Sequence, residues 1–239
     1  MAKAILADGG DDIQDAMWGM KKYLELNPEN GTADAYATLG QVAGLNGEFD
    51  AALEAVEMAL QLEPDFAQAY WDLGQVLIRK GSHDKASMAF SKALKIKTNE
   101  PQFLNGFSWL LANCEDVRCR DATRAVDLAN KLTQLAPNDG NAWNTLGVAQ
   151  FRLGDYQNSV TSLNKAIYIN HEANGCDYFF LAMAHWQLGN HERALDFYLK
   201  ADKWMQEHKP DDQELQRFRE EAKELLGKDA LAEMNPGKL

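Results

Sequence analysis

The stretch Tyr70 to Ala93, YWDLGQVLIRKGSHDKASMAFSKA, places an aromatic, a leucine and a glycine at Tyr70, Leu73 and Gly74, then two alanines around a large residue at Ala86, Phe90 and Ala93. The same signature stands one period earlier, as Tyr36, Leu39 and Gly40 followed by Ala52, Val56, Ala59 and Pro64. It returns as Trp143, Leu146 and Gly147, and more weakly as Tyr178, Leu181 and Ala182. Its second half recurs as Ala125, Ala129 and Pro137, as Ser159, Leu163 and Ala166, and as Ala194, Tyr198 and Ala201. A period the length of the step from Tyr36 to Tyr70, with three- and four-residue steps inside each half, describes stacked pairs of antiparallel helices. Two helix axes cross closely only where side chains are small, so Gly40, Gly74 and Gly147 are expected at the crossings, with Ala52, Ala86, Ala125 and Ala194 facing them. Tyr36, Tyr70 and Trp143 are expected to plug the space toward the neighbouring pair, and a buried Trp143 cut to alanine would cost about 3–5 kcal/mol.

At 239 residues and 46% apolar content the chain could hold one large or two modest globular domains. The repeat implies one elongated domain instead, because each unit buries its apolar face on its neighbours. Only 6 prolines and no Gly or Ser run argue against a long linker. No stretch approaches the roughly 18 apolar residues of a spanning helix, which predicts no membrane partner. Residues 1–10 are too short and too weakly apolar for a secretory signal, and 3 cysteines suit a reducing compartment, so a cytoplasmic location is expected. Of the net charge of −12, residues 1–66 carry −10, with 3 Lys and Arg against 13 Asp and Glu. Phosphate backbones need a basic face, so nucleic acid is excluded as the expected partner. The acidic third reads as a solvated surface or as a docking face for a basic protein.

The predicted fold is all-α, a right-handed superhelix of about five helix-turn-helix repeats. Residues 1–32 form a partial N-terminal repeat, with a helix from Asp12 to Leu26 whose Ala16, Met20, Tyr23 and Pro28 match the second-helix pattern. Repeats follow at 33–66, 67–100, 101–139, 140–173 and 174–208, then a capping helix at 209–227 and a tail at 228–239. The incomplete start reads either as a cap or as a chain cut from a longer protein, and it leaves an edge for possible self-association. The third repeat is degenerate. Its first helix, around Asn105 to Leu111, lacks the usual glycine, and an inserted loop from Asn113 to Asp121 stretches the step from Tyr70 to Trp143 beyond two periods. In the cap, Pro210 fits the first turn, Leu215, Phe218, Ala222 and Leu225 form the apolar stripe, and Arg217, Arg219, Glu220, Glu221 and Glu224 the wet side. Gly227 stops it.

No catalytic constellation stands out, and no cofactor is implied. His83, His171, His185, His191 and His208 lack the i, i+4 pairing and carboxylate companion of a zinc site. Neither a phosphate loop nor a nucleophile elbow is present. Cys114 and Cys119 are only two thiols, with no second pair to complete a tetrahedral metal site, and are expected to be free. What remains is a protein- or peptide-binding surface on the first helices, opposite their packing seam. Helical spacing assigns to it Gln68, Trp71, Gln75, Ile78 and Arg79, then Asn141, Asn144, Val148, Phe151 and Arg152, then Phe179, Met183, Trp186 and Gln187. The alternative for Phe179 and Trp186 is packing beneath the C-terminal helix. On this reading Trp71→Ala and Arg152→Glu weaken a partner and leave melting nearly intact.

Over almost its whole length the chain resembles the tetratricopeptide repeat family, which implies a groove that receives peptides or protein segments. One subclass of that family grips a terminal carboxylate with Lys, Asn and Arg on successive first helices. Here those positions hold Asp34, Ala37, Gln41 and Leu45, so such a clamp is not expected. The run Trp109 to Asp116, WLLANCED, with Arg120, Asp121, Ala125 and Val126, is similar to repeat regions attached to bacterial serine/threonine protein kinases. That resemblance implies a regulatory or substrate-recruiting arm in signalling, without kinase residues of its own.

Overall fold

The structure, a computed structural model, describes residues 18–19, 22–24 and 32–227. Among these residues it is all-helical, with no strand, and residues 33–226 form eleven α-helices and one 3-10 turn. They run in pairs, α1 (Ala33–Leu45) with α2 (Phe49–Leu62), α3 (Ala67–Arg79) with α4 (His83–Ile96), α5 (Pro101–Asn113) with α6 (Ala122–Leu135), α7 (Gly140–Leu153) with α8 (Tyr156–Asn170), and α9 (Gly175–Gln187) with α10 (His191–His208), followed by α11 (Gln213–Leu226). Residues 18–19 and 22–24 are helical within the span expected as Asp12 to Leu26. The rest of that helix, the segment before it and the tail at 228–239 lie outside the described residues.

Side-chain caps start six of these helices, α1, α6, α7, α8, α9 and α11. Asp121 accepts from Arg124 N at 2.9 Å, Asp139 from Asn141 N at 2.9 Å and Asp212 from Leu215 N at 3.0 Å. Asn174 and Asp177 close a reciprocal capping box on α9. Between the helices of four pairs the chain turns on a glycine with positive φ, Gly47, Gly81, Gly154 and Gly189, at +74° to +88°. The residue after each donates back five positions, as Ser82 N does to Leu77 O at 2.8 Å. The third pair has no such turn. Its corner is longer and holds the 3-10 turn Val117–Cys119, with Arg120 Nε donating to Cys114 O at 2.7 Å and Asp121 N to Leu111 O at 3.0 Å.

The chain divides into two compact units, residues 1–103 with 116–119, and residues 104–115 with 120–239. In the first, Ala37, Val56, Ala59 and Ala69 form a core flanked by Tyr36, Phe66 and Leu73. The crossing there differs in one respect from the expectation. A Cβ on Gly40 would sit 2.5 Å from Val56 Cγ2, and one on Gly74 would meet the Phe90 ring at 2.5–2.8 Å. In the second unit a Cβ on Gly147 would meet Leu163 Cγ at 2.6 Å. The large residue of the second helix, rather than the small residue before it, fills the space over each glycine, and Ala52, Ala86, Ala125 and Ala194 are wholly buried. In the third pair Ser108 holds the glycine's place, buried, its hydroxyl donating to Ala125 O at 2.8 Å.

The expected plugs are half-buried. Trp143 presents its ring to Lys165 Nζ at 3.5 Å and its indole N–H to Pro137 O at 2.9 Å, both near solvent. Its truncation therefore costs about 1–2 kcal/mol, not the larger sum of a core residue. Pro210 is not in the first turn of the cap. It lies in the preceding turn, and α11 opens behind Asp212 because that carboxylate satisfies the first free N–H groups.

Candidate functional site

In the first unit, α1 and α3 approach closely at Gly44, where a Cβ would lie 3.0 Å from Val76 Cγ2. Beside that contact opens a cleft of about 210 Å³, lined among others by Gln41, Leu45, Trp71, Gln75, Arg79 and Gln102. Three of the residues assigned to the groove, Trp71, Gln75 and Arg79, meet here. Gln68 stands one turn away, its amide donating to Asp72 Oδ1 at 2.9 Å. Arg79 lends one nitrogen to Gly44 O at 3.0 Å, and Gln75 is exposed.

Trp71 is not a free anchor. It is 4% exposed, stacked on Phe103 at 4.8 Å and tilted against Phe90 at 4.6 Å, so only its edge reaches the cleft. Gln41 and Leu45, the first repeat's groove-face positions weighed above for a carboxylate clamp, line it too, and Gln102 is a lining residue that spacing on one helix did not pick out. The period itself holds the signal: each stands one full repeat from Gln75, Arg79 and Gln68 respectively.

In the second unit most of the assigned residues are occupied within the chain. Val148, Phe179 and Met183 are wholly buried, and Phe179 packs on Tyr198 at 6.0 Å. Asn144 donates to the buried Asp177 at 2.6 Å. Burial pushes the Asp177 carboxyl above its ordinary value, against the pull of bonds from Asn174 and Asn144. Phe151 is buried against Phe180 and Tyr156. Trp186 stacks on His191 at 4.1 Å, and Asn141 remains exposed.

The cover over this face is α11. Phe218 sits 4.9 Å from Phe180 and 6.2 Å from Trp109, edge-on to both. Arg152, its side chain 10% exposed, makes a two-pronged ion pair with Glu221, grips Asn113 Oδ1 at 3.1–3.2 Å, and lies 5.0 Å over the Phe180 ring. Trp109 donates to Glu214 at 2.9 Å, and Arg219 pairs with Asp202 at 2.5 Å. Thus Glu221 and Arg219, expected on the wet side, are contact residues. Phe180 and Trp109, rather than Phe179 or Trp186, are the aromatics against Phe218 of the cap. Leu226 lies buried in the stripe where Leu225 was expected.

Among the described residues no His, Cys, Asp and Glu cluster could hold a metal, and no helix is long and apolar enough to cross a membrane. Cys114 is buried, and Cys119 lies 3.6 Å from Asp84 Oδ1.

Repeated helix pairs, crossing on small residues and in four of the five turned by a positive-φ glycine, define an α-helical repeat protein. Profiles of the tetratricopeptide repeat match residues 37–101, 140–172 and 178–208. The chain belongs to the tetratricopeptide repeat family. None of the curated proteins compared with it matches. Solved structures of the same fold include PilW, a widely conserved type IV pilus biogenesis factor, at 19% identity and TM-score 0.70, covering 90% of this chain and 94% of that one. MamA from Desulfovibrio magneticus RS-1 is similar at 18% identity and TM-score 0.63, covering 74% and 97%. YrrB, described as a TPR protein with an unusual peptide-binding site, is similar at 20% identity and TM-score 0.61, covering 84% and 97%.

Proposed function

We propose that the chain is a non-catalytic scaffold for protein-protein interaction, and that the cleft of its first unit takes an extended peptide segment of a partner. The observation that carries this reading is the cleft itself, where amides on α1, α3 and α5 line one opening beside the exposed, apolar Leu45. Amide side chains both donate and accept, which suits the alternating N–H and C=O groups of an extended backbone. Leu45 offers an apolar contact for a side chain. YrrB, of the same fold, is described by its peptide-binding site, which supports a peptide as ligand class. The acidic N-terminal third favours a protein over nucleic acid, and a cytoplasmic setting accords with the unbridged Cys114, Cys119 and Cys176.

The test is a displayed peptide library panned on the wild-type chain, with each recovered peptide measured again on Gln75→Arg and Arg79→Glu. Binding should weaken at least tenfold with the melting temperature unchanged. Peptides that bind all three chains equally would remove the cleft from the interface. A second reading, a recruiting arm in serine/threonine kinase signalling, is favoured by the Trp109 to Asp116 run. A kinase domain in the same reading frame would support it.

A further inference from the structure

The helix α11 does more than shield the last pair. A cap needs contact with α9 and α10 alone, yet α11 reaches α7 through Glu221 and α5 through Phe218 and Glu214, across the first helices of three successive pairs. Its contacts are those of a bound ligand. An aromatic is seated between Trp109 and Phe180, a carboxylate is forked by Arg152, and an acceptor meets the Trp109 indole N–H.

The charges beneath it point the same way. Burial, and then the neighbouring Arg152, disfavour the charge of Arg120, while Glu221 offsets them. Uncovered, this face would hold two arginines and two aromatics, one of them with an indole donor.

The geometry points to a second docking surface on α5, α7 and α9 of the second unit, which takes an amphipathic acidic helix of a partner protein and which α11 occupies as an internal stand-in. The occupant fits by a Leu-x-x-Phe-x-x-Glu pattern, as Leu215, Phe218 and Glu221 do, with the carboxylate one turn beyond the aromatic so that Arg152 receives it. Lys209 to Asp212, the only residues between α10 and α11, are the hinge on which the stand-in leaves. This surface shares no residue with the first unit's cleft and does not rest on that reading.

A labelled peptide of residues 211–227 serves as the probe, titrated against the full chain. The wild-type chain should bind it weakly, and Phe218→Ala with Glu221→Ala, which loosen α11, should tighten binding at least tenfold. Adding Arg152→Glu should abolish that gain, and a probe carrying Glu221→Arg should restore it. No gain on loosening, or a gain indifferent to the charge at 152, would overturn the proposal. Hydrogen exchange on the wild-type chain is a check that needs no variant. Amides of α11 should exchange at least ten times faster than those of α7 and α9, and equal protection would make α11 a fixed part of the core. Dimers formed by exchange of α11 between copies would assign the surface to a second copy and overturn the partner reading.

Discussion

Replacing Trp71 by alanine separates a packing role from a binding role. The ring is 4% exposed, with Phe103 stacked on one side at 4.8 Å and Phe90 against it at 4.6 Å. A tryptophan so placed loses about 3–5 kcal/mol on truncation, and the two ring contacts push the value toward the upper end. At about 4–8 °C per kcal/mol for a unit near 100 residues, melting should fall by roughly 15–30 °C. The assay is urea unfolding followed by circular dichroism, with Gln75→Ala, one turn along the same helix, as the control. Gln75 is exposed, and its loss should stay within about 0.5 kcal/mol. A Trp71→Ala chain whose midpoint moves by less than the equivalent of about 1 kcal/mol would refute the burial argument and return Trp71 to the binding surface.

Gly74→Ala places a methyl against the Phe90 ring, and overpacking should outweigh the gain in helix propensity, for a net loss of about 1–2 kcal/mol by urea midpoint. Ser108→Gly restores the family's residue but removes the bond to Ala125 O, so it should destabilise by about 1–2 kcal/mol, measured in the same way. Two buried groups tilt stability with pH in opposite directions. Asp177 has a raised carboxyl pKa, so the folded state holds its proton longer; that contribution is complete below the ordinary 3.8 and is lost as pH rises through the folded value. Burial, then Arg193, lowers the His185 pKa, so its contribution is complete above 6.5 and is lost as pH falls through the folded value. Unfolding midpoints of Asp177→Asn and His185→Gln across pH 4–8 should each lack the corresponding slope relative to the wild-type chain.

The packing seam is legible in the sequence because it recurs: a glycine at the same point of successive repeats states where axes cross before any coordinates exist. Ser108 is harder to see because the insertion after it disguises its place in the period, although it stands one full repeat beyond Gly74. The groove is less legible for a different reason. Helical spacing tells which way Phe151, Arg152 or Val148 points from its own helix, but not what returns to cover that direction. The covering helix lies two repeats further along the chain, and its Glu221 looks like one more solvated charge until Arg152 is found beside it. Trp71 misleads by its type. A large aromatic off the repeat signature reads as an anchor, whereas Phe90 and Phe103 make a socket for it.

The corner of the third pair has a practical bearing. The other four corners commit their backbones to a conformation that only glycine accepts cheaply, so their length and sequence are fixed together. At Val117 and Arg118 both side chains stand in solvent and no left-handed residue governs the turn. This is the corner at which a reporter domain could be grafted into the chain without disturbing any glycine crossing or helix cap.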